Sequence, residues 1–465
     1  MTVKKQLSIE FLGAAKTVTG SRILVKYNGY QFLIDCGLFQ GPKQIRIKNW
    51  EDFIDADKIH SVILTHAHID HSGYLPKFVK EGFRGKVFAS AGTVDLCKIL
   101  LTDSAHLQEE DAKYLNKKRA THFHPAKPLY TVEDAEQAIS LLVPVSKDEW
   151  HELTEGISFR LLRSGHILGS TFVQLSYTTG NGQKIITFSG DIGHDRQNVI
   201  KGPVIIKESD VLILEGTYGD RVQSKVDAAD ELEPIIKSTL NRGGVVVIPA
   251  FAVGRAQEIL FLISKLEREK RIPSVPVYLD SPMSINATDI YMKYRDELRL
   301  TFNGDHFDYP LCPQQFQAVR SVDESMLVTM QDGPFIVVSA AGMLTGGRIL
   351  HHLRKRLPEA KNSVIFVGFQ VEETKGRLLQ QGLPKIRIHK QLIDVEAEIH
   401  SISSLSAHGD SNDIIDWVRR FNKKPSIIYL NHGEPAALNA LKYRLETELG
   451  LKVEVPDQGG KYIIE

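Results

Sequence analysis

Cysteine is scarce: Cys36, Cys97 and Cys312 are the only three in 465 residues. An odd number at wide spacing excludes a disulfide framework and a paired-cysteine metal site, and a reducing cytoplasm is the simplest compartment. Long hydrophobic runs are missing too. None approaches the roughly 20 residues of a membrane helix, so no membrane partner is expected. The N-terminal stretch MTVKKQLSIEFLG passes straight into an alternating pattern, without the apolar block of a signal peptide. Charge of one sign is not in excess: 57 Lys and Arg balance 57 Asp and Glu, for a formal net charge of +0. Any attraction to phosphate therefore has to be local, from metals or a basic stripe. Heptads, tandem repeats and low-complexity linkers are also lacking.

The length suits two or three domains. Residues 1–215 read mainly as strands: LSIEFLG, SRILVKY and QFLIDCG form a meander, and TFVQLSYTTGNGQKIITFSGD forms two strands around a Gly-Asn-Gly turn. Helical periodicity falls near 92–118 and 132–143. Beyond Glu215 the texture changes. GGVVVIPAF, VPVYLD, PFIVVSA and NSVIFVGF are β-branched runs, most of them followed by a helical stretch, which is the pattern of a parallel sheet flanked by helices. This second domain is placed at 216–395. The segment 396–465, with two further histidine motifs, is expected to fold back onto the first domain, making the middle one an insertion.

The strongest chemical signal is His66-Ala-His68-Ile-Asp70-His71. With 17 histidines in 465 residues, three in fixed places arise by chance only about 0.02 times per chain. The motif follows the short apolar strand VILTH, where a loop can aim several side chains into one mouth. Imidazole and carboxylate suit a borderline metal such as zinc. GHILGS, with His166, and FSGDIG, with Asp191, are weak alone, since a lone His after a strand is more often structural and Asp-Gly is usually a turn. In company they matter more, because two zincs need about seven or eight protein and solvent ligands and the first motif offers four.

With these motifs the chain resembles the metallo-β-lactamase superfamily. The resemblance implies an α/β fold, an αββα sandwich, with His66, His68 and His166 on one zinc, Asp70 and His71 on the other, and Asp191 bridging. Iron-using branches usually carry Glu where this chain has His68, so two zinc ions are expected. LEGTYGDR, with Glu215, and GRAQE, DSPM and GMLTGG resemble segments of the β-CASP insertion. SAH, with His408, and NHGE, with His432, resemble its later histidine motifs. Gly216 stands where many relatives have Ser, which is expected to loosen that turn but to leave Glu215 in place.

The β-CASP branch implies a nuclease acting with a zinc-activated hydroxide, and a histidine at the last motif goes with single-stranded RNA as substrate. The resemblance puts His432 on the second zinc and His408 beside Glu215, where it would protonate the leaving oxygen. Asp70, Asp191, Glu215 and His408 are thus the expected catalytic residues. The glycine-rich GMLTGGR segment would bring backbone N–H groups to a phosphate. Gly346, Gly347 and Arg348, with Arg255 and Ser406, are the candidate substrate contacts. Arg354-Lys355-Arg356 and Lys385-Ile386-Arg387-Ile388-His389-Lys390 are candidates for tracking an RNA backbone, although charge runs are more often solvated faces. His351, His389 and the remaining histidines carry no assignment. The rival readings are a DNA nuclease, a lactonase- or thioesterase-type hydrolase, and an inactive β-CASP scaffold, and homodimerisation is left open.

Overall fold

Strand Leu7–Phe11 alternates buried and half-buried side chains, as a strand with one face on a core must. In the computed structural model, which describes residues 6–118, 125–180, 182–224, 226–300, 310–368, 370–371 and 374–464, it lies in a seven-stranded sheet. The order is Lys461–Ile464, Leu7–Phe11, Ile23–Tyr27, Tyr30–Ile34, Ser61–Ile63, Lys86–Ser90 and Leu142–Val145. The expected meander is its antiparallel part, and the strands from Tyr30–Ile34 onward run parallel. A second seven-stranded sheet has the order Val453–Glu454, Ile427–Asn431, Val211–Glu215, Gly182–Phe188, Thr171–Thr179, Ile157–Arg163 and His151–Thr154. Thr171–Thr179 and Gly182–Phe188 are the expected hairpin; Asn181 of its turn lies outside the described residues.

The two sheets share one apolar layer. Phe11, Val25, Phe32 and Ile34 of the first meet Phe159, Val173, Leu175 and Phe188 of the second in one buried cluster. Val211–Glu215 is buried throughout, because its other face is covered. There Leu212, Leu214 and Leu430 pack on Ile414, Trp417 and Val418 of helix Ser411–Arg419 and on Leu438 and Leu441 of helix Pro435–Leu449. Helices Ala91–Lys118 and Val132–Ser140 contact strands or one another beside the first sheet. The second starts at a capping box between Thr131 and Asp134. This is the expected αββα sandwich. It is built from 1–196, 202–222 and 408–465.

The second compact unit comprises 197–201 and 223–407. Its six strands, Phe316–Ala318, Val277–Leu279, Phe335–Ser339, Val245–Pro249, Ser363–Phe366 and Glu398–Ser401, are all parallel. Alternate residues feed two cores. Val246 and Ile248 join helices Ala228–Asn241 and Arg255–Arg268 on one face, while Val245 and Val247 join Leu350 and Leu353 of helix Ile349–Arg356 on the other. That is why each strand reads as a continuous β-branched run. The sequence placed the switches at 215/216 and 395/396. The chain divides instead at 222/223 and 407/408, because Glu398–Ser401 pairs with Ser363–Phe366 and holds the chain in the second unit.

Candidate functional site

Every side chain of the histidine and aspartate cluster leaves the C-terminal end of a strand in the sandwich unit. Asp35 follows Tyr30–Ile34, His66 to His71 follow Ser61–Ile63, and His166 follows Ile157–Arg163. Asp191 follows Gly182–Phe188, Glu215 ends Val211–Glu215, and His432 follows Ile427–Asn431. Within each sheet these strands run the same way, so their loops open at one edge, the usual place for chemistry in such folds. His68 caps the short helix Ile69–Ser72, which turns Asp70 and His71 inward.

Two donor sets result. His66, His68, His166 and Asp191 have ligand atoms within 4.8 Å of one another, and so do Asp70, His71 and His432. In the first set, His66 Nε2 and His166 Nε2 each lie 3.1 Å from His68 Nδ1. Asp191 Oδ2 is 3.6 Å from His66 Nε2 and 3.4 Å from His166 Nε2. In the second, His71 Nε2 lies 3.2 Å from His432 Nε2, and Asp70 Oδ2 is 3.5 Å from the latter. Asp191 turns its other oxygen to this set, with Oδ1 3.3 Å from His71 Nε2. That oxygen is buried and accepts no hydrogen bond. A cation between the sets would satisfy it, along with imidazole nitrogens that otherwise face one another. The donor chemistry therefore fits metal.

The electrostatics point the same way. Burial, then the neighbouring His71, holds His66 well below the ordinary imidazole range, and burial does the same more mildly to His68. Both are neutral donors at pH 7. Burial alone would raise Asp191, but His432, His71 and His66 outweigh it and keep the carboxyl well below its usual range. Burial likewise opposes ionisation of Asp70, and the hydrogen bond from His432 with the charge near His71 brings it to about 2.

A second pair sits beside the first set. His408 Nδ1 is 3.1 and 3.2 Å from the two Glu215 oxygens, and its Nε2 points back to Asp191 Oδ2 at 3.9 Å. Glu215 is buried, and its oxygens also accept from the Ile192 and Thr217 backbone N–H groups. Glu215 has atoms close to Asp191 and His432 as well, but these hydrogen bonds commit it to orienting His408. Burial lowers the His408 imidazole, yet Glu215 and Asp191 more than offset this and raise it to about 9.

Several residues that sequence reading passed over fix this geometry. Asp35 Oδ2 is 2.7 Å from His71 Nδ1, and Asp35 also accepts from Thr65 N and Oγ1 and from Ser21 Oγ. The contact with Nδ1 turns His71 Nε2 toward the donor set. Its only sequence signal was an Asp directly after an apolar strand, the same signal Asp191 gives. Thr217 Oγ1 lies 3.1 Å from His432 Nδ1. Arg196 spans Asp410 and Asp413 just beyond His408, while Gly409 N–H donates to Ile192 O. Gly216 is not a loose point: a Cβ there would stand 2.7 Å from Leu438 Cδ2, so the leucine fills the space a Ser would need.

The candidate substrate contacts belong to the second unit. Gly347 takes φ +81°, and a Cβ on Gly346 would meet open space. The Arg348 guanidinium is engaged internally, donating to Asp280 Oδ1, Val319 O and Arg320 O. Arg255 pairs with Glu258 at 3.0 Å, and Ser406 is buried. Arg356, of the first basic run, is also buried and donates to Thr329 O and Gln331 O. Among the described residues no helix is long and apolar enough to cross a membrane.

Three family models match the chain. Residues 24–215 match a metallo-beta-lactamase superfamily domain, 256–379 a Beta-Casp domain, and 392–456 a Zn-dependent metallo-hydrolase RNA specificity domain. The chain is 35% identical over 436 residues to Ribonuclease TTHA0252 of Thermus thermophilus, covering 92% of this chain and 94% of that protein. It is 30% identical over 441 residues to the transcription termination factor FttA of Methanocaldococcus jannaschii, covering 92% of this chain and 67% of that one. A solved structure of a protein of unknown function from Enterococcus faecalis shares the fold, with a TM-score of 0.56 at 14% identity over 99% of this chain and 100% of that one.

Proposed function

We propose a function for a chain that belongs to the β-CASP branch of the metallo-β-lactamase superfamily: it is a ribonuclease that hydrolyses phosphodiester bonds of single-stranded RNA. The observation that carries this is the complete donor shell, in which both sets are filled and Asp191 offers one oxygen to each. An inactive scaffold would have no use for it. Two zinc ions are the proposed occupants. Bonds of about 2.0–2.2 Å in a tetrahedron give ligand–ligand edges of about 3.3–3.6 Å, close to separations of 3.1 to 3.6 Å within the two sets, with His71 Nε2 and Asp70 Oδ2 wider at 4.0 Å. When bound, such ions supply Lewis acidity toward a phosphoryl oxygen and lower the pKa of water from 15.7 to about 7.

The chain's own residues do the rest. His66, His68, His166 and Asp191 would hold one ion, and Asp70, His71, His432 and Asp191 the other. Glu215 accepts from His408 Nδ1 and so directs Nε2 toward the Asp191 side of the site. A protonated His408 there donates to the leaving 3′-oxygen of the ribose, which otherwise departs as a poor alkoxide. A cytoplasmic location and a homodimeric state belong to the same proposal. Cysteines that form no disulfide accord with the first. The exposed Val322, Met326, Leu327 and Met330 of helix Val322–Met330 accord with the second.

The test is incubation of purified protein with end-labelled single-stranded RNA and DNA, with and without a chelator, alongside elemental analysis. The expected result is chelator-sensitive cutting of RNA by protein carrying close to two zincs per chain. Efficient lactone or thioester hydrolysis with no RNA cleavage across a metal and pH screen would overturn the reading.

A further inference from the structure

The proposed reaction makes no use of the hairpin Lys385–Ile388/Gln391–Asp394 in the second unit. Ile388 pairs with Gln391, so the turn is the two residues His389 and Lys390. Both have positive φ, 46° and 68°. Two left-handed residues in a two-residue loop make a type I′ turn, whose preferred pair is Asn-Gly because a larger side chain strains the backbone there. Here the strained positions carry an imidazole and an ammonium, both exposed. Strain kept where glycine would serve the fold better points outward, to something the side chains bind.

The surroundings say what that is. The His389 ring lies against His351 of helix Ile349–Arg356, with centroids 4.7 Å apart. Arg354 stands three residues after His351 on the same helix face, and both are exposed. On the hairpin, Arg387 is exposed between buried Ile386 and Ile388. Nearby Lys355 and Lys385 are paired with Glu359 and Asp394. Among the described residues, no carboxylate lies within ion-pair distance of Arg354, Arg387 or Lys390, while such pairs are frequent elsewhere on the surface. Burial, then the neighbouring His389 and Arg354, depresses the pKa of His351. In a chain of net charge +0 this is a local surplus of fixed positive charge around two imidazoles in tilted contact. It matches a single nucleic-acid strand, with phosphates for the cations and unpaired base faces for the rings.

We propose that the His389-Lys390 turn, with His351, Arg354 and Arg387, forms a second RNA-binding surface that grips the backbone of a single strand without cutting it. This rests on the ribonuclease reading. Phosphate contacts carry no sequence information, so the surface adds affinity for any unpaired strand.

Two double variants of the full chain test it: His389→Asn with Lys390→Gly, and Arg354→Ala with Arg387→Ala. The first gives the turn its preferred pair, so its melting temperature is expected to stay level or rise. A merely structural role for the turn predicts unchanged binding. Both variants should keep wild-type turnover of bis(p-nitrophenyl) phosphate, a phosphodiester too small to reach beyond the metal centre. On a long unstructured RNA, KM should rise severalfold with kcat unchanged. Fluorescence anisotropy of the same RNA, measured in a His408→Ala background, should show the salt slope of log K shallower by about 0.7 for each phosphate left without its cation. Wild-type affinity and salt slope in both variants would overturn the surface. A wild-type enzyme that turns over the small diester but neither binds nor cuts RNA would instead overturn the ribonuclease reading beneath it.

Discussion

His66 and His71 lie with ring centroids 4.1 Å apart, yet their surroundings push their pKa values in opposite directions. Burial leads in keeping His66 neutral. Burial also works against charge on His71, but Asp191 and Asp35 outweigh it and raise that imidazole well above its ordinary value. A metal entering the Asp70, His71 and His432 set must therefore displace a proton from His71 Nε2, whereas one entering the His66, His68 and His166 set meets His66 and His68 already neutral. The affinity of the Asp70, His71 and His432 set should fall about tenfold per pH unit below the raised pKa of His71. Acidification is expected to empty that set while the other stays filled. Zinc titration across pH, with proton release read in buffers of different ionisation heat, checks this, and a common midpoint for both ions would contradict it.

His408 and His432 look alike in the sequence and differ in surroundings. His408→Ala should keep its metal, cut normal RNA some 10²–10⁴-fold more slowly, and recover most of its rate when the leaving oxygen is replaced by sulfur, which needs no proton. His432→Ala should lose metal and stay slow on both substrates. Loss of zinc from His408→Ala, or no gain from the sulfur substrate, would remove the proton-donor role. At this scale the first histidine motif was legible because four ligand residues within six have few other uses. His166 and Asp191 were legible only in its company, and Asp35 was not legible at all: one acid after a strand says nothing until its partner, 36 residues on, is seen beside it.

Among the elements, the long helix and the β-branched strands were readable because each is driven by its own pattern: Ala91–Lys118 against an expected 92–118, and Val245–Pro249 within GGVVVIPAF. Glu398–Ser401 was missed. It has four residues, two of them exposed, at the edge of its sheet, so its pairing rather than its side chains defines it. Leu142–Val145 was absorbed into the end of an expected helix for a similar reason, being a short partner of Lys86–Ser90. Contacts between loops were equally hidden. A Cβ on Gly193 would stand 1.8 Å from Gly165 O, which means the loops carrying Asp191 and His166 touch backbone to backbone. Gly193→Ala must push them apart. It is expected to cost about 3 kcal/mol or more of stability in chemical denaturation, and to lower metal occupancy at stabilities where the chain is still folded. Full occupancy in a folded Gly193→Ala protein would show that the loops are not coupled.

For the molecule as a whole, all seven proposed metal donors belong to the sandwich unit. A ligand that binds only the folded form stabilises it by about 2.7 kcal/mol at 100 times its Kd. Chelation should therefore lower the melting of the sandwich unit, with reloading by zinc restoring it; calorimetry that shows identical melting with and without chelator would mean the donor shell holds no ion. The sandwich unit is also assembled from separated stretches. His66 through Asp191 come from the first and Glu215 from the next, but His408 and His432 lie in the last, beyond the whole of the second unit. A ribosome delivers these pieces in that order. Throughout most of its own synthesis the growing chain lacks both His432 and His408, the proposed last metal ligand and proton donor, so on the proposed mechanism the messenger being translated lies next to an enzyme that cannot yet cut it.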